Sequence, residues 1–317
     1  MLTLLCAAMS ISAITTLSQP VAPAGTSKPG QPPATTPTAP TPAAPAPFVR
    51  KPEAAMKLGW TLGTQAWTFR DRTLFETIDT AKRFGLTHIE FFNGQKLSKE
   101  TGDVKVGPEL SKEHRDLLKK KFKDNTITAN SYGVIGISKD EKAARANFDF
   151  AKDMGLVTIS CEPEPDALDL ASKLADEYKI NLAIHDHPKP SRYWNADIVL
   201  DAIKGRSSRM GACADTGHWT RSGLTTIEQL KKLEGHIIEL HFKDVATGAD
   251  KSMKDKPWGT GDGSAKEMLA ELKRQNFKGV ILVEYEDGSG PELEANVAKC
   301  IDWFDKTAAE LAAPAKK

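Results

Sequence analysis

The chain has few cysteines and almost no excess charge, and each shortage excludes a class of protein. Outside the first 24 residues only three cysteines remain, at positions 161, 213 and 300. An odd number without close spacing is not a disulfide framework, and two of the three lie in apolar runs, as small buried side chains do. The 43 Lys and Arg residues nearly balance the 42 Asp and Glu residues, so no basic block indicates a nucleic-acid or acidic-lipid partner.

The N-terminal stretch MLTLLCAAMSISAITTL is apolar and carries no charged side chain. It is too short for a comfortable membrane span and resembles the apolar core of a secretory signal, although no basic segment precedes it. We therefore predict a signal peptide over residues 1–24, cleaved near Ala22-Pro23-Ala24, with an uncleaved N-terminal anchor as the alternative. The expected protein is exported, periplasmic or secreted, and has no stable membrane association after signal removal.

Residues 25–57 are rich in Pro, Ala and Thr, as in PATTPTAPTPAAPAPF. This composition offers too little apolar surface to offset the entropy lost on ordering, and it predicts an extended, disordered linker. The globular domain is expected over residues 58–312, and residues 313–317 form a short tail.

From Leu58 onward, short apolar runs alternate with amphipathic stretches of helical length. The candidate strands are TLGTQAWTF, THIEFF, TITANSYG, LVTISCEPE, INLAIHDH, RMGACADTGH, IIELHFKD and GVILVEYE. Eight strand–helix units in about 250 residues predict a single-domain α/β fold, the (β/α)8 TIM barrel. A doubly wound sheet is the alternative, but it normally needs fewer repeats and no Gly-rich dinucleotide motif follows the first strand. The GTGDG run at residues 259–263 lacks the strand–turn–helix context of a phosphate site.

Polar side chains collect at the C-terminal ends of the last five predicted strands. These ends open on one face of a barrel, so side chains distant in sequence converge there. Imidazole nitrogens and carboxylate oxygens together suit one divalent ion, such as Mn²⁺, Co²⁺, Fe²⁺ or Zn²⁺. The residues are Glu162 (strand 4), His185 and His187 (strand 5), Asp215 and His218 (strand 6), His241 and Lys243 (strand 7), and Glu284 and Glu286 (strand 8).

Five motifs occur in the order LGTQAWTFRD, IHDHPKP, GACADTGHWTRSG, ELHFKDV and GVILVEYE. With them the chain resembles the xylose-isomerase-like barrel superfamily, in its sugar phosphate isomerase/epimerase branch, and within it the 3-keto-glycoside lyase- or hydratase-like members. The resemblance implies a divalent metal held by His185, Asp215, His241 and Glu284. Many members carry Glu where this chain has His185, so Glu162 on strand 4 is the alternative first ligand.

The resemblance also implies roles for the polar residues around the metal. His218, in the DTGH motif, is expected to bind substrate or handle a proton, and Lys243 is placed to stabilise a developing oxyanion. Glu162, Glu286 and His218 are the candidate general bases. His187, beside the ligand His185, supports that ligand or faces the substrate.

Three tryptophans are candidates for stacking on a sugar ring. Trp67 lies on the first predicted strand and either forms an apolar wall for the sugar or packs in the barrel core. Trp219 and Trp258 lie on loops beyond strands 6 and 7 and are better placed for stacking. Together with His187 they form the predicted substrate-binding set.

These residues predict a metal-dependent enzyme that abstracts a proton next to the carbonyl of a small sugar or keto-sugar. Epimerisation, isomerisation and β-elimination or hydration on a 3-keto-glycoside share that first step, and the sequence does not choose among them. The alternatives are a non-catalytic sugar-binding barrel and an endonuclease-IV-like phosphodiesterase, which the near-neutral charge disfavours. No nucleic acid is expected as a partner, and assembly into a homo-oligomer stays open.

Overall fold

The structure, a computed structural model, describes residues 48–314. The predicted signal peptide (1–24), most of the predicted linker and the last three residues of the tail lie outside that range. Inside it, the linker boundary is wrong, because Glu53–Leu58 forms helix α1 and ends at Gly59, whose φ is 81°. Just before α1, the Arg50 guanidinium donates to both carboxylate oxygens of Asp305 at 2.5 and 3.2 Å. A helix therefore precedes the first barrel strand in the described part of the chain.

Eight parallel strands of the described chain close into a barrel, which confirms the predicted fold. Each strand pairs with its neighbours along the sequence, and the last one closes the barrel on the first. The barrel strands are β1 Trp60–Gln65, β2 His88–Phe91, β3 Thr128–Ile137, β4 Thr158–Pro163, β5 Asn181–His185, β6 Met210–Asp215, β7 Ile237–Phe242 and β10 Gly279–Val283.

The helices that follow the strands cover the outside of the barrel. Capping residues mark the ends of these helices. Thr73 and Glu76 form a reciprocal capping box at the start of α2, and α4 ends at Gly155, which adopts the left-handed conformation at φ 72°. The remaining helices are α2 Leu74–Arg83, α3 Lys112–Asn125, α4 Glu141–Met154, α5 Leu168–Tyr178, α6 Ala196–Ile203, α7 Thr216–Arg221, α8 Thr226–Lys232, α9 Ala265–Arg274 and α10 Gly290–Ala312.

Two local predictions need correction. The first strand ends at Gln65, and Ala66–Phe69 forms a 3₁₀ turn because the Gln65 side chain accepts the Trp67 backbone N–H at 3.0 Å. The long loop after β7 also contains an antiparallel hairpin that the sequence pattern does not indicate, β8 Val245–Thr247 and β9 Met253–Asp255. Between residues 48 and 314, no helix has the length and apolar character needed to cross a bilayer.

Candidate metal centre and substrate cavity

A cavity of about 410 Å³ opens at the C-terminal ends of the barrel strands. Several elements supply its wall, so residues far apart in sequence meet there, as expected for the catalytic face of such a barrel. The predicted residues that reach it are Trp67, His185, His187, His218, Glu284 and Glu286. The other lining residues are Gln65, Phe92, Asn93, Gly133 and Val134.

The four predicted metal ligands meet beside this cavity, and two of them, His185 and Glu284, line it. Ligand atoms of His185, Asp215, His241 and Glu284 all lie within 4.8 Å of one another, and all four side chains are buried. The register explains part of this convergence, because Asp215 on β6 pairs directly with His241 on β7. In the described chain these two imidazoles and two carboxylates form one compact group, and His241 and His185 each also belong to a three-residue group, with Glu90 and Cys213 and with Glu162 and His187.

The side chains of this group fit a divalent cation. Nδ1 of His241 is buried and has no hydrogen-bond partner, although Oε2 of Glu284 lies 3.0 Å away. A buried polar atom without a partner is unfavourable and is readily explained by an absent ligand. Nitrogen and carboxylate-oxygen donors in one cluster are also the set that Zn²⁺, Mn²⁺, Fe²⁺ and Co²⁺ accept.

A buried carboxylate that the sequence analysis missed contacts the imidazole ring of His241. Glu90 on β2 is fully buried, and its Oε2 lies 2.9 Å from Nε2 of His241. Gln65 and Ser131 also donate to Glu90, at 2.7 and 3.1 Å. If Nε2 carries the proton, Nδ1 keeps its lone pair toward Glu284, which is the carboxylate–histidine arrangement common at metal sites. The sequence feature that could have indicated the role of Glu90 is its position as a lone Glu inside the apolar run THIEFF.

Glu162 has a similar relation to the two histidines of strand β5. Its Oε1 forms a close contact with Nδ1 of His187 and lies 3.5 Å from Nδ1 of His185. Burial alone would raise the pKa of Glu162, but the hydrogen bonds from these two imidazoles outweigh it and lower the pKa to about 2. His185 in turn directs Nε2 toward Asp215, at 3.6 Å from Oδ2. The geometry favours His185 over Glu162 as the first ligand.

Lys243 lies against the metal candidates rather than in the cavity wall. Its buried Nζ is 2.5 Å from Oδ2 of Asp215, 2.6 Å from Oε2 of Glu284 and 3.7 Å from Oε1 of Glu286. Burial would lower the pKa of this ammonium group, yet the carboxylates of Asp215 and Glu284 raise it, so Lys243 stays charged. The predicted contact with a substrate oxyanion remains a prediction.

The glycine of the DTGH motif makes room for this lysine. A Cβ on Gly217 would lie 2.6 Å from Cβ and 2.8 Å from Cδ of Lys243, closer than carbon atoms normally approach. Thr216 precedes Gly217 in the same motif. Its hydroxyl accepts the backbone N–H of Lys243 at 2.8 Å and donates to the Lys243 carbonyl oxygen at 2.7 Å. The motifs DTGH and HFKD are therefore packed against each other.

His218 is held as a neutral imidazole at the cavity edge. Burial lowers the pKa of His218 well below its usual value. The Arg221 guanidinium lies 3.2 Å from Nδ1, so Nδ1 accepts a hydrogen bond and the ring proton is on Nε2. The same guanidinium contacts Oε2 of Glu286 at 3.1 Å and Oδ1 of Asp255 at 2.7 Å. Arg221 thus links two predicted catalytic residues to the hairpin after β7.

Asp186, between the two histidines of the IHDH run, is a second residue that the sequence prediction missed. Its Oδ1 accepts the backbone N–H of Asp215 at 2.8 Å, and its Oδ2 is buried without a partner. Burial and the charge of Asp215 raise the pKa of Asp186 well above its ordinary value. This carboxyl group therefore positions the Asp215 backbone.

The prediction that Trp219 and Trp258 stack on substrate is wrong in this structure. Each is about 1% exposed, and neither reaches the cavity. Trp258 instead packs edge-on against Phe242, with ring centroids 4.6 Å apart, because the loop after β7 folds back over the barrel. Trp67 does line the cavity, is 41% exposed, and meets Phe92 edge-to-face at 4.9 Å.

The fold and its side chains define an α/β barrel with a candidate divalent-metal centre at the open end of its strands. The chain belongs to the xylose isomerase-like TIM barrel family, whose sequence profile matches residues 165–307. Its sequence is 34% identical to that of an uncharacterised protein from Parabacteroides distasonis ATCC 8503 whose crystal structure is known. That similarity covers 78% of this chain and 99% of the other, with a TM-score of 0.64.

More distant structures share the fold. A xylose isomerase-like TIM barrel protein from Mycobacterium smegmatis, solved with magnesium, is 13% identical over 80% of this chain and 98% of its own, with a TM-score of 0.61. A D-psicose 3-epimerase from Clostridium cellulolyticum H10, solved with D-tagatose, is 14% identical. The similarity covers 80% of this chain and 98% of the epimerase, with a TM-score of 0.57. No curated protein matches the chain.

Proposed function

We propose that this protein is a divalent-metal-dependent enzyme that removes the proton next to the carbonyl group of a sugar. The observation that carries the proposal is the meeting of His185, Asp215, His241 and Glu284 beside a cavity of about 410 Å³ that His185 and Glu284 line. Family membership supports it, as does the fold shared with a D-psicose 3-epimerase and with a magnesium-bound barrel.

The metal would be held by these four residues. When bound, it supplies a Lewis acid that polarises the substrate carbonyl and favours loss of the neighbouring proton. Glu90 and Glu162 orient the two imidazole ligands, through contacts of 2.9 Å to His241 and 3.5 Å to His185. The protein thus supplies both the metal ligands and the carboxylates that orient the ligand imidazoles.

Glu286 is the best-placed base among the three candidates. Its side chain lines the cavity, is 26% exposed, and is oriented by Arg221 at 3.1 Å. Glu162 suits the role poorly, because a carboxylate with a pKa of about 2 accepts a proton only weakly at neutral pH. Neutral His218, with its ring proton on Nε2, is suited to donate a hydrogen bond to a substrate oxygen.

The outcome after proton removal distinguishes three reactions. Return of the proton to the opposite face gives epimerisation, and transfer to the adjacent carbon gives isomerisation. Loss of a β-substituent gives elimination, as expected with a 3-keto-glycoside. All three begin with the same proton removal, and epimerisation also needs a proton donor on the opposite face.

One observation favours a second candidate, a sugar-binding barrel without catalysis. The Lys243 ammonium group already lies between Asp215 and Glu284, at 2.5 and 2.6 Å, and neutralises much of their charge. A lysine in this place could stabilise the carboxylates without any metal. Metal content therefore separates the two candidates.

The test combines metal analysis with proton exchange. Purified protein is loaded with Mn²⁺, Co²⁺ or Zn²⁺, its metal content is measured by mass spectrometry, and it is incubated in D₂O with free sugars, sugar phosphates and 3-keto-glycosides. Deuterium appearing at the carbon next to a carbonyl, followed by NMR, supports the enzyme. Sugar binding without metal uptake or exchange supports the binding protein instead. The Glu286→Gln variant is the matched control, because it keeps all four candidate ligands.

A further inference from the structure

We propose that the cavity selects an uncharged, unphosphorylated sugar and rejects sugar phosphates. This inference rests on the proposed function, since it names the substrate class of the same site. Three features of the described chain carry it: the charge of the cavity wall, the pairing of the cations near it, and the occupation of the backbone positions where barrels usually bind phosphate.

The wall of the cavity contains two acidic side chains and no lysine or arginine. Among its lining residues are Glu284 and Glu286, and none is Lys or Arg. A phosphoryl group brings close to two negative charges at neutral pH and is normally met by Arg, Lys or backbone N–H groups. Because no lysine or arginine lines the cavity, a phosphoryl group placed there would find no Arg or Lys partner in the wall.

Two cations that contact the wall carboxylates, Lys243 and Arg221, are neutralised by the protein's own acids. Lys243 is bound between Asp215 and Glu284, and Arg221 is bound by Glu286 and Asp255. Because these carboxylates already surround the two cations, neither is available to a substrate anion without breaking a short contact.

Arg70, which contacts the wall residues Trp67 and Glu286, has no carboxylate partner in the part of the chain that the structure describes. Its guanidinium is exposed, donates to the carbonyl oxygen of Glu286 at 2.8 Å, and lies 5.7 Å from the ring centroid of Trp67. Arg70 is therefore a cation that could bind a phosphate beside the cavity if the inference is wrong, and it belongs in the test.

The loop after the seventh barrel strand, where TIM barrels often bind phosphate, is occupied by an acid of the protein itself. The backbone N–H groups of Gly259, Gly261 and Gly263 donate to the Asp244 carboxylate at 2.8, 2.9 and 3.2 Å. A Cβ on Gly261 would collide with Oδ1 of Asp244. The glycines of GTGDG thus let the backbone surround an internal carboxylate, which leaves these N–H groups unavailable to a phosphate.

Two helix N-termini at the same end of the barrel are also unsuited to an anion. At α7, the Asp215 side chain accepts the backbone N–H of His218 at 2.9 Å. At α10, Pro291 lacks an N–H group and Glu292 adds a negative charge in the first turn. Both places that could have held a phosphate already carry an acidic side chain.

The rest of the wall suits an uncharged sugar. The half-exposed Trp67 ring, fixed by Phe92, offers an apolar surface for the C–H face of a sugar ring. Asn93, His187 and His218 line the cavity as neutral or switchable hydrogen-bonding groups for hydroxyls. Few polar groups placed around an aromatic wall are typical of a small-molecule site.

The experiment compares matched pairs that differ only in the phosphate. Metal-loaded protein is incubated in D₂O with D-fructose, D-tagatose and D-psicose and with the 6-phosphate of each, and deuterium uptake beside the carbonyl is followed by NMR. We expect at least one free sugar to exchange faster than its phosphate by on the order of 100-fold, since a charged group that loses its hydration without gaining a partner is unfavourable in a site. Faster exchange with the phosphate member would overturn the inference and leave the proposed function standing.

Binding to the metal-free protein keeps the inference testable if none of these sugars exchanges. Inorganic phosphate is titrated calorimetrically into metal-free protein, so that coordination to the metal contributes nothing, and the Arg70→Ala variant is titrated in parallel. No phosphate binding is expected in either protein. Millimolar or tighter binding that disappears in Arg70→Ala would show that the cavity accepts phosphate, and it would refute the inference. Metal uptake with no exchange on any sugar, sugar phosphate or 3-keto-glycoside refutes the proposed function instead.

Discussion

Replacing Glu90 with glutamine is expected to weaken metal binding while leaving the barrel folded. Glu90 accepts three hydrogen bonds: Gln65 Nε2 donates to Oε1 at 2.7 Å, and Ser131 Oγ and His241 Nε2 donate to Oε2 at 3.1 and 2.9 Å. A glutamine has one acceptor oxygen and one donor NH₂, so it cannot accept from both sides. Gln65 cannot adapt by turning over, because its Oε1 accepts the Trp67 backbone N–H at 3.0 Å.

The glutamine oxygen is therefore expected to face Gln65, which places its NH₂ toward His241. Nε2 of His241 must then accept, and its proton moves to Nδ1, the atom 3.0 Å from Glu284 that would bind the metal. Changes in the partner of a histidine ligand typically reduce metal affinity 10- to 100-fold, or about 1.4–2.7 kcal/mol. We expect the Kd of Glu90→Gln for Co²⁺ or Zn²⁺ to rise within that range.

Calorimetry of metal binding checks this prediction, with thermal unfolding of the metal-free protein as the measure of stability. Asp305→Asn is the matched control, since Asp305 is a buried carboxylate that binds Arg50 and the Lys51 backbone N–H away from the cavity. The control is expected to lower Tm and leave the Kd unchanged. A wild-type Kd in Glu90→Gln would show that Glu90 does not set the His241 tautomer.

Three further variants test the remaining assignments. His241→Ala is expected to lose both metal and turnover, and full activity in this variant would end the metal hypothesis. Glu286→Gln should bind metal with wild-type affinity and slow deuterium exchange by about 100-fold or more, as expected for a lost general base; lost metal would mean that Glu284 and Glu286 have exchanged roles. Gly217→Ala should displace Lys243, because the new Cβ would lie 2.6 Å from its side chain, and should lower Tm by several degrees. An unchanged Tm would show that the DTGH and HFKD motifs are not tightly packed.

The succession of strands and helices in this chain is largely a local property. Apolar runs bounded by turns and caps, such as THIEFF and the stretch from Thr73 that begins α2, indicate elements that the structure contains as β2 and α2. Exceptions arose where a contact distant in sequence or a side-chain cap decided the conformation. Helix α1 lies beside the Arg50–Asp305 ion pair, and the 3₁₀ turn after β1 depends on the Gln65 side chain.

The candidate metal ligands could also be chosen from sequence, because the ends of parallel barrel strands must share one face. Once eight strands were counted, Asp215 and His241 had to lie near each other, and the structure pairs them. That reasoning locates side chains at strand ends and says nothing about which ones point inward from loops. It therefore placed Trp219 and Trp258 in the cavity, whereas both are buried elsewhere.

The sequence by itself determined the barrel and the set of polar residues at its open end, since periodicity and strand order are properties of the chain. Only the tertiary structure decided which of those residues contact one another. Glu90 reaches His241 across 151 positions of sequence, and Lys243 lies between Asp215 and Glu284 because three strands deliver their ends to one buried point. Charge pairing and hydrogen bonding depend on distances of a few ångströms, which the closed barrel sets and the local pattern cannot.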